Sequence, residues 1–175
     1  MKQLIECVPN FSEGNNLVLI KQITQEIEQI DGVKLLNVDP GKATNRTVVT
    51  FVGEPDAVVE AAYYAIKKAG ELIDMSKHKG EHPRMGATDV CPFIPISGIT
   101  MEQTAEYAKK LGERVGKELK IPVYLYESAQ KNPARKNLSI IREGEYEGFF
   151  KKIKRPEWIP DFAPVEYDAK RGATV

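Results

Sequence analysis

Val33-Lys-Leu-Leu-Asn-Val-Asp-Pro-Gly-Lys-Ala-Thr-Asn-Arg-Thr-Val-Val-Thr-Phe-Val52 sets two β-favouring runs around a polar centre. Val33 to Val38 and Thr47 to Val52 are rich in β-branched residues and read as strands; Asp39 to Arg46 reads as the loop that joins them. Immediately before this pair, Leu17, Ile20, Ile23, Ile27 and Ile30 recur at helical spacing until Asp31-Gly32 stops them. Immediately after it, Pro55 suits a first helical turn, and Ala57, Val58, Ala61, Ala62, Ala65, Ala69, Leu72 and Ile73 mark a helix running to about Asp74. Its small residues suit close packing on a sheet. With Leu4 to Val8 as a short buried strand in front, the order is β-α-β-β-α.

Further along, Asp89 to Pro95 reads as a strand, Thr100 and Gln103 form a capping box that opens a helix through Leu119, and Val123 to Tyr126 supplies another strand. This order predicts an α+β fold: a mixed β-sheet with helices packed on one face, built from βαβ units like those of ferredoxin-like folds. Beyond residue 128 the texture changes, with a short amphipathic helix near Asn137 to Arg142, a basic patch at Lys151 to Arg155, and prolines at 156, 160 and 164. The segment 128–175 is expected to be an extended strap laid on a single domain of residues 1–175. Its apolar, β-favouring finish, Gly172-Ala-Thr-Val175, reads as an element cut short.

The 175 residues carry 25 basic and 25 acidic side chains. A net charge of zero gives no broad attraction to nucleic acid or anionic lipid, and no apolar run approaches the roughly 20 residues of a membrane span. The N-terminus lacks the charged-then-apolar pattern of a signal peptide, and Cys7 and Cys91 lie in apolar strand-like runs, not in a disulfide framework. A cytoplasmic protein with reduced thiols is the expectation.

Both histidines of the chain fall in Ser76 to Pro95. Histidine exchanges protons near neutral pH, so chemistry is sought there first. His78-Lys-Gly-Glu-His82 spells H-x-x-E-H, a zinc-peptidase pattern in which two histidines one helical turn apart bind the metal. Gly80 inside the motif and Pro83 directly after it oppose the helix this needs. The favoured picture is a loop presenting His82 at a cleft, with Glu81, Arg84 and Asp89 as neighbours. The plain alternative is that His82 hydrogen-bonds its own loop and that the nearby cations are a solvated face. Asn10-Phe-Ser-Glu-Gly14 offers either amides for an anion or an ordinary helix start. Asp39, Thr44, Asn45 and Arg46 either fix a polar substrate or form a plain turn with a salt-bridged arginine.

Together and in order, Val8-Pro-Asn-Phe-Ser-Glu-Gly14, Asp39-Pro-Gly with Thr44-Asn-Arg-Thr47, and His78-Lys-Gly-Glu-His-Pro-Arg-Met-Gly86 followed by Asp89-Val-Cys-Pro-Phe93 resemble the glutamate formimidoyltransferase family. The resemblance spans residues 1 to 175 and points to the N-terminal subdomain of a two-part transferase domain, with a folate tunnel between the parts. It implies transfer of a formimino group from N-formimino-L-glutamate to N5 of tetrahydrofolate, in histidine degradation and one-carbon metabolism. Tetrahydrofolate is then a co-substrate, no metal is needed, and the partners are a C-terminal subdomain and a second copy in a homodimer. The family's catalytic histidine falls on His82. Its folate-contacting segment falls on Ala163, Pro164, Val165, Glu166, Tyr167, Asp168, Ala169, Lys170, Arg171 and Gly172. A noncatalytic folate-binding half is the alternative beside the zinc peptidase.

For such a transfer, one histidine can take the N5 proton and return a proton to the leaving glutamate nitrogen. The formimino group is an amidine, so carboxylate acceptors suit it, and Asp39 and Glu81 are the candidates. Two substrate carboxylates call for bidentate arginine, for which Arg46 and Arg84 stand close in sequence.

Overall fold

The hairpin that organises the chain is longer than its pattern suggests. In the computed structural model, which describes residues 1–163, 165, 166 and 168–175, β3 runs over Val33–Gly41 and β4 over Arg46–Gly53. Their register continues to Gly41 opposite Arg46, so Asp39-Pro-Gly is strand and the turn shrinks to residues 42–45. The reason is position: β3 pairs only with β4, and an edge strand tolerates Pro40 because its missing N–H can face outward. Asn45 closes the turn at φ +47°, a left-handed conformation that asparagine accepts more readily than most residues.

Beside β4 lie β1 (Leu4–Cys7) and β2 (Asn10–Phe11), two pieces of one line. Beyond them lie β5 (Thr88–Val90), on β2, and β6 (Phe93–Ser97), on β1. The apolar run from Asp89 to Pro95 is therefore two strands, broken at Cys91-Pro92. Likewise Pro9 breaks the first line, and the stretch read as a loop contains β2. Across the gaps Val8 N–H donates to Pro92 O at 3.2 Å and Val49 N–H to Pro9 O at 3.0 Å, which keeps the lines together. All these ladders are antiparallel; a parallel pairing occurs at the isolated bridge Val123–Thr174. Among the described residues, Val123 to Tyr126 forms isolated bridges, from Val123 to Phe162 and Thr174, and is not a regular strand.

Helices α1 (Leu17–Glu28) and α2 (Pro55–Leu72) cover one face. Ile20, Ile23 and Ile27 of α1 and Val58, Ala61, Ala62, Ala65 and Ala69 of α2 are buried with Ile5, Cys7, Val49 and Phe51 of the sheet. The third helix, α3 (Met101–Arg114), opens with the expected capping box, Thr100 receiving Gln103 N–H and Gln103 reaching back to Thr100 N–H, and packs on α2 and β6. The α+β architecture with helices on one face stands as read.

The segment 128–175 is more than a strap. It carries α4 (Leu138–Arg142) and α5 (Glu145–Lys152). Ile141, Phe149 and Ile153 from it join Met85, Val90, Tyr124, Ala173 and Val175 in a second, smaller core directly beneath the exit of the histidine loop.

Candidate functional site

Alternation along β4 turns Thr47, Val49 and Phe51 inward and leaves Arg46, Val48, Thr50 and Val52 on the face that α1 and α2 do not cover. Cross-strand partners share a face, so Asn10 and Asp39, both opposite Val48, lie on that side with Arg46. Asn10 Oδ1 accepts from Arg46 Nε at 2.9 Å and Nη2 at 2.6 Å. The fork of Arg46 is thereby fixed, and its Nη1 rests against the ring nitrogens of His82. Partial burial draws the Arg46 guanidinium below its ordinary pKa, while the charge of Asp89 opposes that and Arg142 adds to it.

The histidine loop is laid along the β3–β4 turn. Glu81 N–H reaches Ala43 O at 3.4 Å, Asn45 Nδ2 donates to Lys79 O at 2.9 Å, and Gly80 lies so close that an added Cβ would meet Thr44 O at 2.2 Å. On the other side of the turn, Asn45 Oδ1 accepts Gly14 N–H at 2.9 Å. That amide is used within the fold, and α1 is capped in the ordinary way by Asn16, which accepts Leu19 N–H at 3.1 Å.

The two histidines have different surroundings. His78 Nδ1 accepts from Arg84 Nε at 3.1 Å, which leaves Nε2 to donate to Asn45 O at 2.8 Å. Both nitrogens of His78 are thus committed. No helix spans 78–82, so the shared helical face that H-x-x-E-H zinc binding needs does not form. His82 is half-buried, and its Nδ1 faces Pro83 O at 2.6 Å. A carbonyl only accepts and a guanidinium only donates, so Nδ1 carries the proton and Nε2 presents its lone pair towards Arg46.

Arg84 is buried, with all five N–H groups engaged: Nη1 with Glu145 at 3.0 Å and Glu147 at 2.9 Å, Nη2 with Glu147 at 2.7 Å and His78 O at 3.4 Å, Nε with His78. In this arrangement it holds the loop and has no N–H left for a substrate carboxylate. The Glu147 hydrogen bonds hold the Arg84 pKa above its ordinary value, against its own burial, and Arg84 holds the Glu147 carboxyl below the usual range. Asp89, fully buried, accepts Met85 N–H at 3.0 Å and pairs with Arg142 of α4. It anchors the loop from behind instead of facing His82. Glu81 and Asp39 are exposed.

Of the segment proposed for folate, Pro164 and Tyr167 lie outside the described residues. Val165 and Glu166 are exposed, as is Ala169, whose carbonyl accepts from Tyr146 Oη at 2.6 Å; Ala163 is half-buried. Asp168 accepts from Arg171 Nε at 2.6 Å. Lys170 Nζ donates to Glu71 O at 2.7 Å and Arg171 Nη1 to Leu119 O at 2.5 Å, so Lys170 caps the end of α2 and Arg171 that of the π-helical turn Val115–Leu119 that continues α3. Gly172 forms an antiparallel bridge with Gly86, bringing the segment's end alongside the loop's exit.

Asn10, Asn45, Glu145, Glu147 and Arg142 thus complete the site. Asn10 and Asn45 stand in the motifs noted above; the other three lie in the presumed strap, and no local pattern ties them to the loop.

Over residues 4–175 the chain matches the family described as the formiminotransferase domain, N-terminal subdomain. It is 57% identical to a formimidoyltransferase-cyclodeaminase of Mus musculus over 175 residues, covering 100% of this chain and 32% of that protein. It is 44% identical over 174 residues to a glutamate formimidoyltransferase of Streptococcus pyogenes, covering 99% of this chain and 58% of the other. With a glutamate formimidoyltransferase of Thermoplasma acidophilum the identity is 46% over 174 residues, 98% and 57% of the two chains. The chain spans about a third of the first relative's length and under three-fifths of the others'. It belongs to the formiminotransferase N-terminal subdomain family.

Proposed function

From membership of that family, we propose that this chain supplies the proton-transfer half of a site that moves a formimino group from N-formimino-L-glutamate to N5 of tetrahydrofolate. The observation that carries the proposal is the setting of His82: half-buried on the uncovered sheet face, Nδ1 fixed on Pro83 O, and Nε2 aimed at an arginine that Asn10 holds in place. As N5 attacks the formimino carbon, His82 Nε2 takes the N5 proton. It returns a proton to the glutamate nitrogen as the C–N bond to glutamate breaks. Arg46 Nη1 leaves the imidazole for a substrate carboxylate when substrate enters, which frees Nε2 for this exchange.

Asp39 and Glu81 keep their proposed role as acceptors for the cationic amidine. Arg84 takes a different one, positioning the loop through His78. For folate, the proposed contacts are the described residues of this segment, whose end, Gly172, bridges Gly86, with Lys170 and Arg171 shaping it from the helix side. A C-terminal subdomain as the other wall, a homodimer, and a cytoplasmic role in histidine degradation belong to the same proposal.

Formimino transfer to tetrahydrofolate, measured for this chain with a C-terminal half supplied, tests it. Replacing His82 by Ala should lower turnover by about 10²–10⁴-fold, the usual worth of a positioned general acid–base. Turnover unchanged by that replacement would overturn the assignment.

A further inference from the structure

A cavity of about 300 Å³ lies between α3 and the opposing stretches 91–94 and 125–129, lined almost wholly by apolar groups. Thr174 and Val175 form part of its wall, and they are already strand-like. Thr174 N–H donates to Pro122 O at 2.9 Å and Tyr124 N–H to Thr174 O at 3.0 Å, a parallel bridge on one side. On the other, Val175 N–H donates to Asp89 O at 3.2 Å and Cys91 N–H to Val175 O at 2.9 Å, again the parallel pattern. These two residues therefore run between two flanking stretches, and the cavity prolongs their line.

The flanking edges carry the hydrogen-bonding groups that a longer strand would use. Val8 and Pro92 are joined by a ladder bond, so the adjacent pair Cys7–Phe93 is the non-hydrogen-bonded one, and Phe93 turns its own N–H and C=O away from β1. That is the side on which Cys91 already meets Val175. Across the gap, Val123 and Leu125 donate outward to Phe162 O and Asp161, so Tyr124 and the extended Tyr126 face inward. The next residue in line would lie between Tyr124 O and Tyr126 N–H, and the one after it between Cys91 O and Phe93 N–H. Thr174 lines the same cavity, and its buried hydroxyl has no partner among the described residues.

We infer that this cavity is the seat of one further β-strand: an apolar, extended segment running parallel to 89–91 and 122–124, in line with Thr174 and Val175, with α3 beneath it. The occupant is the stretch of polypeptide that follows the matched region in the longer relatives, of which this chain spans 57–58% in the two glutamate formimidoyltransferases. Ala105, Ala108 and Gly112 on α3 leave room for its side chains, and Leu125 and Ile94 flank it.

The test compares this chain with one prolonged at Val175 by the six residues that follow the aligned position in the Streptococcus pyogenes relative. Hydrogen exchange should show the Phe93 and Tyr126 amides slowed at least about tenfold in the prolonged chain, as expected for newly formed ladder bonds. Ala108→Phe, which fills the cavity from α3, should abolish that gain. If the prolonged chain misfolds, the same six residues added as a free peptide should slow the two amides in the original chain. Unchanged exchange in both formats would overturn the inference. So would slowing that appears only with dimerisation, or 8-anilinonaphthalene-1-sulfonate bound equally by both chains, which would mark the cavity as a small-molecule pocket.

Discussion

Replacing Asp89 by Asn removes one charge and almost no volume, and it addresses the anchor of the histidine loop directly. Asp89 is fully buried and joins three parts of the chain: β5, the Met85 amide at the loop's exit, and Arg142 of α4. Asparagine can keep the Met85 bond, so the loss centres on Arg142, whose Nε is already buried without a partner among the described residues. Breaking a buried ion pair from one side costs about 3–5 kcal/mol, because the remaining charge is left uncompensated. The Arg142 side chain keeps 15% exposure, which places the expected loss at the low end, about 3 kcal/mol. That is roughly 150-fold in the folding equilibrium. It corresponds to a melting temperature lower by about 6–12 °C for a domain of this size. Urea unfolding should show a lower midpoint with an unchanged slope. Adding Arg142→Met to the variant removes the orphaned charge and should recover at least half of the loss. A single-variant loss below about 1 kcal/mol, or a double variant no more stable than the single one, would refute the claim that this pair holds the loop. Asp89 also favours the charged form of Arg46 while Arg142 opposes it, so the variant should loosen Arg46 from His82. The imidazole nitrogen shifts of His82 would report that change.

Gly80→Ala places a Cβ 2.2 Å from Thr44 O and should push the loop off the turn, breaking the His78–Asn45 and Asn45–Lys79 bonds. A loss of about 2 kcal/mol is expected at roughly 1 kcal/mol per bond, with the nitrogen shifts of His78 reporting the release. For Glu147→Gln the prediction is pH-dependent. The folded carboxyl is held below its unfolded value by Arg84, so its stabilisation is present above the ordinary glutamate value of roughly 4.3 and lost as pH falls through the lower folded value. Melting temperatures of the wild type and the variant should therefore differ at pH 6 and converge in acid, by a modest amount because Glu147 is largely exposed. Lys152→Met removes the ammonium that donates to Ile140 O, Ile141 O and Glu143 O at 2.8–3.0 Å and lies 3.8 Å from the Trp158 ring centroid. Loss of about 2–4 kcal/mol is expected, and the fluorescence of Trp158, the sole tryptophan, should reveal local loosening at lower urea.

How far the sequence discloses this molecule depends on the distance over which each feature is decided. The isoleucine stripe of α1, the alanine face of α2 and the Thr100–Gln103 box are set within one or two helical turns, and the structure reproduces all three. By contrast, Asp89 to Pro95 is a continuous apolar run in sequence but two strands in space, because Pro92 interrupts it and the halves meet different partners, Asn10–Phe11 and Leu4–Cys7. Residue type and loop chemistry single out His82, and the turn motif singles out Arg46. What joins them is register: Asn10 and Asp39 stand opposite Val48, and alternation along β4 turns Arg46 to the same side. That pairing order is a property of the whole sheet, which no single window of sequence contains. Arg84 is the clearest case. Its place beside His82 suggests a substrate contact, yet Glu145 and Glu147, about sixty residues on, take up its fork. An arginine's role follows from who reaches its N–H groups first, and here the answer lies in α5, which no pattern near the loop announces. The loop is accordingly a joint product of two cores: the sheet presents His82 through Arg46 and Asn10, and the second core fixes the loop's exit through Met85. A site built this way should lose its geometry when either core is loosened, even by a substitution as remote from His82 as Lys152→Met.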